Sequence, residues 1–512
     1  MSLIKIKKFP WHSILFSLFP ILALAANNIN EINIRVVLRP LLISLVVAIC
    51  LLLVLQFLFK DWQIGGILTT TYLVFFYSYG HVYNLLHNVV IAGVSIGRNR
   101  YLAIAWLIIS IILTWLIIRN KEGAWKYQLS STLTLVSSLL VVFQLGSLFM
   151  FTYRLNQVEV IDLNSDQAST NSALGTSTAQ LPDIYYIILD AYGRSDVLRS
   201  PYGIDNTVFI DQLKEMGFYV AQCSTSNYAQ TELSLSSSLN YNYLNTLGIT
   251  DESSGNNAKF ISLIKNSAVR RNLENLGYQT VAFATGYQWT EWENADFYYS
   301  PQGYWKINEF ENLLIRSSAG LLLLDAGVFN IDEASMDKIR ARTLFALNQL
   351  ESLPNGSSPK FVFAHLVIPH IPFVFGPNGE PLLVGPLTTE RPYTWEEYKQ
   401  GYGNQVQFIN KRMIEVVHSI IDNSNVPPII VIQGDHGPGY SSNSDRMAIL
   451  NAYYLPKGTS LLYEGISPVN SFRVIFDEYF YGNLELLDDV SYFSRYSTPL
   501  EMEITENNCP SN

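Results

Sequence analysis

The stretch Ile429–Gly439, IIVIQGDHGPG, decides the fold class and points to the kind of site that the chain carries. Its first four residues are apolar and β-branched, which is typical of a short strand buried on both faces of a sheet. A carboxylate, Asp435, and an imidazole, His436, follow directly, flanked by glycines that let the backbone approach a ligand closely. These two side chains at a strand end suit a divalent metal ion, and a turn with a surface histidine explains the pattern equally well.

Other apolar segments have the same strand character, and helical patterns lie between them. Strands are predicted at Ile184–Leu189, Val281–Ala284 and Phe361–Val367, and helices at Asn206–Met216 and Ser335–Leu353. Buried strands that alternate with helices are typical of an α/β domain around a largely parallel sheet. Because ligands bind at the carboxyl ends of the strands in such sheets, polar residues that directly follow the apolar runs are the candidate functional residues.

The remaining candidates follow these strands or lie in a hydroxyl-rich segment. Asp190 follows the first strand and is either a metal ligand or a carboxylate that caps a helix or a turn. His365 is interpreted as a core histidine, whereas His370, held between two prolines after its strand, has the character of a placed side chain. Thr231 lies in Ser224–Asn240, which is either a polar loop before a capped helix or a helix start that binds an anion. A threonine at that position, next to a metal ion, can act as a nucleophile.

The first 153 residues are a different kind of sequence, because they are apolar and basic. They hold 11 Lys and Arg against 3 Asp and Glu, while the rest of the chain holds 22 against 40. A bilayer crossing needs about 20 apolar residues, and uncharged runs of that order recur here. The first run also resembles a secretory signal peptide, although a retained helix is favoured because more spans follow. Five spans are predicted, at Phe9–Ala26, Pro40–Phe59, Gly65–Tyr79, Tyr101–Ile118 and Leu129–Tyr153.

The basic residues predict the orientation in the membrane. The positive-inside rule makes the more basic face cytoplasmic, so the acidic C-terminal part is predicted to be extracytoplasmic. Four arginines on the opposite face weaken this prediction without reversing it. No predicted span contains a charged residue, which argues against an ion-coupled transporter. The basic face carries Lys5, Lys7, Lys8, Lys60, Arg119, Lys121 and Lys126.

Composition excludes several other classes of protein. A net charge of −10 disfavours a nucleic-acid-binding protein, and 49% apolar residues exclude intrinsic disorder. The three cysteines form neither a disulfide framework nor a zinc cluster, and pairing of Cys223 with Cys509 is left open. The stretch Asn164–Gln180 has the small polar composition of a flexible linker. The predicted organisation is a membrane domain over residues 1–153, a linker over 154–181 and a catalytic domain over 182–512.

The order of these elements resembles the sulfatase-like part of the alkaline phosphatase superfamily, in particular its lipoteichoic acid synthase and phosphoglycerol transferase branch. A strand ending in a carboxylate, a hydroxyl-rich helix start about forty residues later, a histidine segment and a late Gly-Asp-His-Gly carry the resemblance. It implies a polytopic helical membrane domain joined to an outward-facing α/β catalytic domain with a largely parallel sheet. It also implies one divalent metal ion, manganese or zinc, held by Asp190, Thr231, Asp435 and His436. Thr231 would be the nucleophile, and His370 would hold the substrate phosphate.

Three departures from the related families narrow the expected function. The residues after Cys223 are STSN, so the C/S-x-P-x-R motif of formylglycine sulfatases is absent. The stretch Gln288–Asn294 lacks the arginine with which the synthases grip phosphoglycerol, and Asp190 stands where they have a glutamate. The expected function is a metal-dependent phosphotransferase or hydrolase that acts on phosphate esters of a membrane lipid or an envelope glycan. The alternatives are a sulfate-ester hydrolase without formylglycine and an inactive, membrane-tethered scaffold.

Overall fold

The computed structural model divides the chain into two compact units. The first comprises Met1–Tyr153 and Trp305–Ser335, and the second comprises Arg154–Tyr304 and Met336–Asn512. Of the predicted linker Asn164–Gln180, only Leu174 lies among the described residues. The structure describes residues 9–29, 31–87, 89–91, 94–95, 98–157, 174, 181–249, 256–301, 307–327, 331–353, 359–386, 392–440 and 442–510.

Sixteen helices and thirteen strands make up the described part of the chain. The helices are α1 Trp11–Asn27, α2 Leu38–Phe59, α3 Trp62–Leu86, α4 Asn99–Arg119, α5 Trp125–Gln157, α6 Ser195–Arg199, α7 Thr207–Glu215, α8 Thr231–Ser238, α9 Asn256–Lys265, α10 Ala268–Asn275, α11 Glu309–Arg316, α12 Leu321–Asp325, α13 Ile331–Ser352, α14 Trp395–Asn423, α15 Asn443–Met447 and α16 Pro468–Phe480. The strands are β1 Val90–Ile91, β2 Val94–Ser95, β3 Ile184–Leu189, β4 Tyr219–Val220, β5 Gln279–Phe283, β6 Phe297–Tyr299, β7 Lys360–Leu366, β8 Phe373–Phe375, β9 Pro381–Val384, β10 Ile429–Gln433, β11 Asn451–Tyr454, β12 Ser491–Arg495 and β13 Thr498–Thr505. A short 3₁₀ helix, Ile34–Val37, precedes α2.

The first unit contains the apolar helices. Among the described residues, three helical segments are long and apolar enough to cross a bilayer: Ile34–Phe59, Asn99–Arg119 and Trp125–Leu155. The apolar helix α1 has 17 residues, and α3 is not among the three. The chain is therefore a membrane protein, and the number of five spans stays a prediction.

A buried histidine joins three of these helices. The His12 side chain of α1 is fully buried, and its Nδ1 lies 2.6 Å from the Thr70 hydroxyl of α3. Its Nε2 lies 3.1 Å from the hydroxyl of Ser130, in α5. A buried polar group that finds partners fixes how helices pack, because the unpaired alternative is costly. In this structure α1 is thus an integral part of the unit, and whether it is retained after synthesis stays a prediction.

A segment from the middle of the chain also belongs to the first unit. Phe310 of α11 packs with Ile21, Ala25 and Val37 in a buried apolar cluster. The Arg39 guanidinium of α2 pairs with the carboxylate of Glu311 through two N–H groups. Residues 305–335 lie inside the range 182–512 that the sequence assigns to the catalytic domain, and in the structure they pack with the N-terminal helices instead. The boundaries of the membrane domain, the linker and the catalytic domain therefore remain a prediction, and the structure adds residues 305–335 to the unit of the N-terminal helices.

The second unit is built around a seven-stranded sheet in the order β4-β11-β10-β3-β7-β5-β6. The pairs from β10 through β3, β7 and β5 to β6 are parallel, and β11 pairs antiparallel with both β10 and β4. The central strand β3, with the sequence IYYIIL, is buried along its whole length, as a strand covered on both faces must be. The predicted α/β class with a largely parallel sheet is confirmed.

The sheet register brings the ends of the three central strands together. Ile188 of β3 lies opposite Gln433 of β10 on one side and His365 of β7 on the other. Side chains that follow β3 and β10, and those at the end of β7, are therefore neighbours at the carboxyl edge. A disulfide between Cys223 and Cys509 also lies in this unit, and Cys50 is a free cysteine in α2.

Candidate metal centre

Two carboxylates and three histidines meet at the carboxyl edge of the sheet. Asp190 follows β3 directly, and one of its oxygens, Oδ1, lies 3.5 Å from His436 Nε2. The other, Oδ2, lies 3.3 Å from His365 Nε2. His436 Nε2 is also 3.7 Å from Asp435 Oδ2, and the rings of His436 and His370 are 6.1 Å apart. All but the half-buried His370 are at most 4% exposed.

The Asp435 carboxylate is held by the backbone on one side and faces the cluster with the other. Its Oδ1 accepts hydrogen bonds of 3.0 Å from the backbone N–H groups of Ala191 and His436. Its Oδ2 is buried and has no hydrogen-bond partner among the described residues. A buried carboxylate oxygen without a partner is costly, so its orientation toward other potential ligands indicates a cation site.

The His436 imidazole presents one nitrogen to the site. Its Nδ1 lies 2.9 Å from the Gly437 carbonyl oxygen, which places the proton on Nδ1 and the lone pair on Nε2. Burial, followed by the nearby Arg446 guanidinium, lowers the pKa of His436 to about 4. The ring is therefore neutral at pH 7, which is the form that binds a metal ion.

His365 is buried, as a core histidine would be, but it also contacts the site. Its Nδ1 lies 3.0 Å from the hydroxyl of Thr290, a residue of the Trp-rich segment Gln288–Asn294. Its Nε2 faces Asp190 and makes no geometrically acceptable hydrogen bond among the described residues. The sequence of the strand predicted at Phe361–Val367 does not indicate that this ring points toward a carboxylate that follows the neighbouring strand.

Asp190 is charged despite its burial. Burial raises the pKa of the Asp190 carboxyl, but His370, His365 and His436 together lower it, and the net pKa lies well below the usual range. The next residue, Ala191, has a φ of 65°, a left-handed backbone conformation that residues with a side chain rarely adopt. This conformation directs the Ala191 N–H to Asp435, and the Ala191 carbonyl accepts a 2.8 Å bond from Tyr402.

Thr231 reaches the site from a separate helix. It is the first residue of α8, and its Oγ1 lies 3.4 Å from His436 Nε2. The loop before α8 is attached to the loop after β10, because the Ser226 hydroxyl lies 2.5 Å from the Asp435 carbonyl oxygen. The Ser226 N–H also bonds the Met447 carbonyl. The hydroxyl is thus held beside the cluster by bonds between the two loops.

The glycines around Asp435 and His436 allow backbone segments to approach closely. A Cβ on Gly434 would lie 2.4 Å from the carbonyl oxygen of Tyr192. A Cβ on Gly437 would lie 2.5 Å from the carbonyl oxygen of Asp445. Since neither contact is possible, only glycine fits at these two positions without a shift of the backbone.

The donor atoms fit a divalent metal ion. Two overlapping groups have ligand atoms that all lie within 4.8 Å of one another. Asp190 Oδ1, Asp435 Oδ2 and His365 Nε2 point into this region and have no hydrogen-bond partner in the part of the chain that the structure describes. Carboxylate oxygens combined with imidazole nitrogens suit manganese and zinc alike, so the donor set does not choose between them. The groups are Asp190, His370 and His436, and Asp190, His365 and Asp435.

All five residues that the sequence predicted are brought together at this edge. His370 Nδ1 lies 2.7 Å from the carbonyl oxygen of Ile371, so the proton is on Nδ1. Arg446 was not predicted from the sequence. Its Nη2 lies 3.3 Å from His436 Nε2, and its other N–H groups bond the carbonyls of Ala229 and Gly437. Arg446 lies in α15, ten residues after His436, and its position followed from no pattern in the sequence.

Comparisons with known proteins identify the family. The sulfatase family model matches residues 182–470, which is more than half of the chain. No curated protein sequence matches the chain significantly. The chain is similar to the solved C-terminal periplasmic domain of EcEptC from Escherichia coli, at 12% identity and a TM-score of 0.41, over 64% of this chain and 94% of that chain.

Two further solved structures have a similar degree of likeness. The lipooligosaccharide phosphoethanolamine transferase A (EptA) from Neisseria meningitidis is 11% identical with a TM-score of 0.37, over 92% of this chain and 94% of that chain. BT1596, a 2-O GAG sulfatase, is 10% identical with a TM-score of 0.38, over 64% of this chain and 76% of that chain. The family assignment rests on the family model and not on these distant likenesses. By that match, the chain belongs to the sulfatase family.

Proposed function

We propose that this protein is a membrane-anchored, metal-dependent phosphotransferase or hydrolase that acts on phosphate esters through Thr231. One observation carries the proposal: the Thr231 hydroxyl lies 3.4 Å from His436 Nε2, beside buried carboxylate oxygens that have no hydrogen-bond partner among the described residues. A hydroxyl next to a cation site is the arrangement that a serine or threonine nucleophile needs. Thr231 also begins α8, where backbone N–H groups are available to an anion.

Asp190, Asp435 and His436 would hold the metal ion together with Thr231. Bound there, a divalent cation lowers the pKa of a coordinated hydroxyl and neutralises phosphate charge. His365 is a further ligand candidate, or it orients Asp190 through its Nε2 while Thr290 holds its Nδ1. Manganese or zinc remains the predicted identity.

In the proposed reaction Thr231 gives up its proton to solvent and its oxygen attacks phosphorus, while the leaving oxygen takes up a proton from solvent. The bond between phosphorus and the leaving alcohol breaks, and the phosphoryl group stays on Thr231 as a covalent ester. His370, whose Nδ1 proton is bound to the Ile371 carbonyl, would in its doubly protonated form donate its Nε2–H to the phosphate oxygens and stabilise their charge. An acceptor alcohol or water then takes the phosphoryl group from Thr231.

The substrate is proposed to be a phosphate ester of a membrane lipid or an envelope glycan. The apolar helices of the first unit support attachment at a membrane. The distribution of basic residues and the Cys223–Cys509 disulfide support an extracytoplasmic catalytic unit in the cell membrane, because disulfides persist in oxidising compartments.

The test uses the full-length chain in detergent with manganese or zinc. Turnover of p-nitrophenyl phosphate, bis-p-nitrophenyl phosphate and p-nitrophenyl sulfate is compared among wild type, Thr231→Ala and Thr231→Ser. We expect phosphodiester cleavage that falls by about a thousandfold or more in Thr231→Ala, in line with loss of a nucleophile, and that partly returns in Thr231→Ser. Turnover of the sulfate ester alone would favour the sulfate-ester hydrolase. A protein that binds no metal and shows no turnover dependent on Thr231 would favour the inactive, membrane-tethered scaffold.

A further inference from the structure

A groove in the first unit is separate from the metal centre. It has a volume of about 810 Å³, within the range of about 300–1,000 Å³ that is usual for small-molecule sites. One wall is a stripe of α2 residues spaced four apart, at positions 39, 43, 47 and 51. Helix α3 contributes Tyr72, Leu73, Phe76 and Tyr77 to the lining, and α11 contributes Leu314 and Ile315.

The hydroxyls in the walls of this groove are satisfied by neighbours in the protein. The Ser44 hydroxyl lies 2.7 Å from the Ser17 carbonyl oxygen and 2.6 Å from the Tyr77 hydroxyl. The Tyr72 hydroxyl lies 3.0 Å from that of Thr114, and the Ser318 hydroxyl bonds the Ile315 carbonyl. Because these groups are already bonded within the unit, the groove offers an occupant mainly apolar contact.

Charge is confined to one end of the groove. Arg39 and Glu311 pair there, and the Arg39 side chain keeps 31% of its surface exposed. From Arg39 to Leu51 the stripe covers twelve residues of helix, or about 18 Å at 1.5 Å per residue. One leaflet of the hydrocarbon core is about 15 Å thick, half of the roughly 30 Å total. The groove thus matches the depth of a single leaflet and has the Arg39–Glu311 ion pair at one end.

We propose that this groove binds one acyl chain of a membrane phospholipid, with the lipid phosphate at Arg39. The most apolar 18-residue stretch of segment Ile34–Phe59, which supplies the stripe, is only 22% buried. The groove residues Ile43 and Val47 are 58% and 53% exposed, so this wall of the groove faces the surroundings of a membrane span. Acyl chains are the apolar molecules present at high concentration there. A guanidinium is the side chain that suits a phosphate group best. The proposal is independent of the reaction at Thr231.

Two adjacent valines provide a matched pair of variants. Val47 lines the groove, whereas Val46 has similar exposure, 57% against 53%, but does not line it. A tryptophan at Val47 fills the groove, and a tryptophan at Val46 extends from another side of α2. Ile43→Trp, one turn away in the same stripe, is a second blocking variant.

The experiment places the full-length chain in phosphatidylcholine vesicles with a small fraction of phosphatidylcholine that carries a diazirine in one acyl chain. After illumination, mass spectrometry locates the crosslinked residues. We expect crosslinks concentrated on the groove residues of α2 and α3 in wild type. Val47→Trp and Ile43→Trp are expected to lower them about tenfold, the effect of about 1.4 kcal/mol of lost binding, while Val46→Trp leaves them unchanged.

Several outcomes would overturn the proposal. In wild type alone, crosslinks spread evenly over all exposed residues of α2 would show that no acyl chain is bound in the groove. Equal loss in Val47→Trp and Val46→Trp, or none in either, would refute the site as well. A diacylglycerol probe with the same diazirine tests the headgroup, and labelling equal to that by the phospholipid would refute the phosphate contact at Arg39.

Discussion

Replacing Asp435 with asparagine separates metal binding from folding at the carboxyl edge of the sheet. The substitution preserves the shape of the side chain, and an amide oxygen in place of Oδ1 can still accept the two backbone N–H bonds from Ala191 and His436. The amide nitrogen then replaces Oδ2, the buried atom that has no partner among the described residues and faces the other ligands. Since that nitrogen cannot coordinate a cation, a proposed ligand is lost without a change in packing.

The size of the effect follows from the loss of a ligand. Even partners that only orient a ligand cost about 10–100-fold in metal affinity when removed. We therefore expect at least about 100-fold weaker binding for Asp435→Asn. At a metal concentration of about 100 times the wild-type dissociation constant, binding stabilises wild type by about 2.7 kcal/mol and the variant by about 0.4 kcal/mol. In a unit of about 330 residues, 1 kcal/mol shifts the unfolding midpoint by roughly 1.5 °C, so the metal-dependent shift falls by roughly 3 °C or more.

Thermal unfolding of the full-length chain in detergent measures this shift, first with a chelator and then with added manganese or zinc. Asp211→Asn, an exposed carboxylate of α7, is the matched control and should keep the full shift. Without metal, Asp435→Asn should unfold at or above the wild-type midpoint, because it removes one of two neighbouring buried negative charges. A large loss of stability in the metal-free variant, with the metal-induced shift intact, would show that Asp435 serves the fold and would refute its role as a ligand.

Two further predictions concern the same edge of the sheet. Gly434→Ala should lower the free energy of unfolding by about 1–3 kcal/mol, because its Cβ would lie 2.4 Å from the Tyr192 carbonyl oxygen. Gly465→Ala should not lower it, because no atom of the described residues lies within 4 Å of the added Cβ. Equal denaturant midpoints for the two variants would contradict this. Because burial lowers the pKa of His436 from 6.5 to about 4, its unfolded form binds more protons between those values, so the metal-free protein should gain stability as pH rises from about 4 to 6.5. Denaturant unfolding in chelator at several pH values measures this gain, and a His436→Gln variant with the same pH dependence would show that His436 is not its source.

The sequence was sufficient for the fold class because the strands are short and continuously apolar. The segment Ile184–Leu189 was predicted with the bounds that the structure gives to β3, and Ile429–Ile432 falls one residue short of β10. Short, continuously apolar segments rich in β-branched and aromatic residues are typical of strands in the middle of a covered sheet. Residues 305–335 were not assigned to the N-terminal helices, because α11 and α12 are short, ordinary helices whose partners lie more than two hundred residues away.

Strand position alone predicts only the site residues that closely follow a strand, whereas Thr231 and His370 were predicted with the help of the hydroxyl-rich helix start and of the family resemblance. Asp190, Asp435 and His436 come within three residues of a strand end, and parallel strands place such residues together. His365 lies within β7, so its contact with Asp190 depends on which strand lies next to β7 and in which register. Arg446 approaches from α15, and long-range contacts of that kind have no local signature in the chain.

The charges at the cluster favour one metal ion over two. The two groups of ligands share Asp190, so a pair of ions bridged by its carboxylate is a geometric alternative. Asp190 and Asp435 are 4% and 1% exposed, and together their charges balance one divalent cation. A second cation would leave an excess of two positive charges where water is almost excluded, and Arg446, 3.3 Å from His436, already adds one. A single ion, held by the two carboxylates with a choice among three imidazoles, is the arrangement that the charges and the burial of this edge favour.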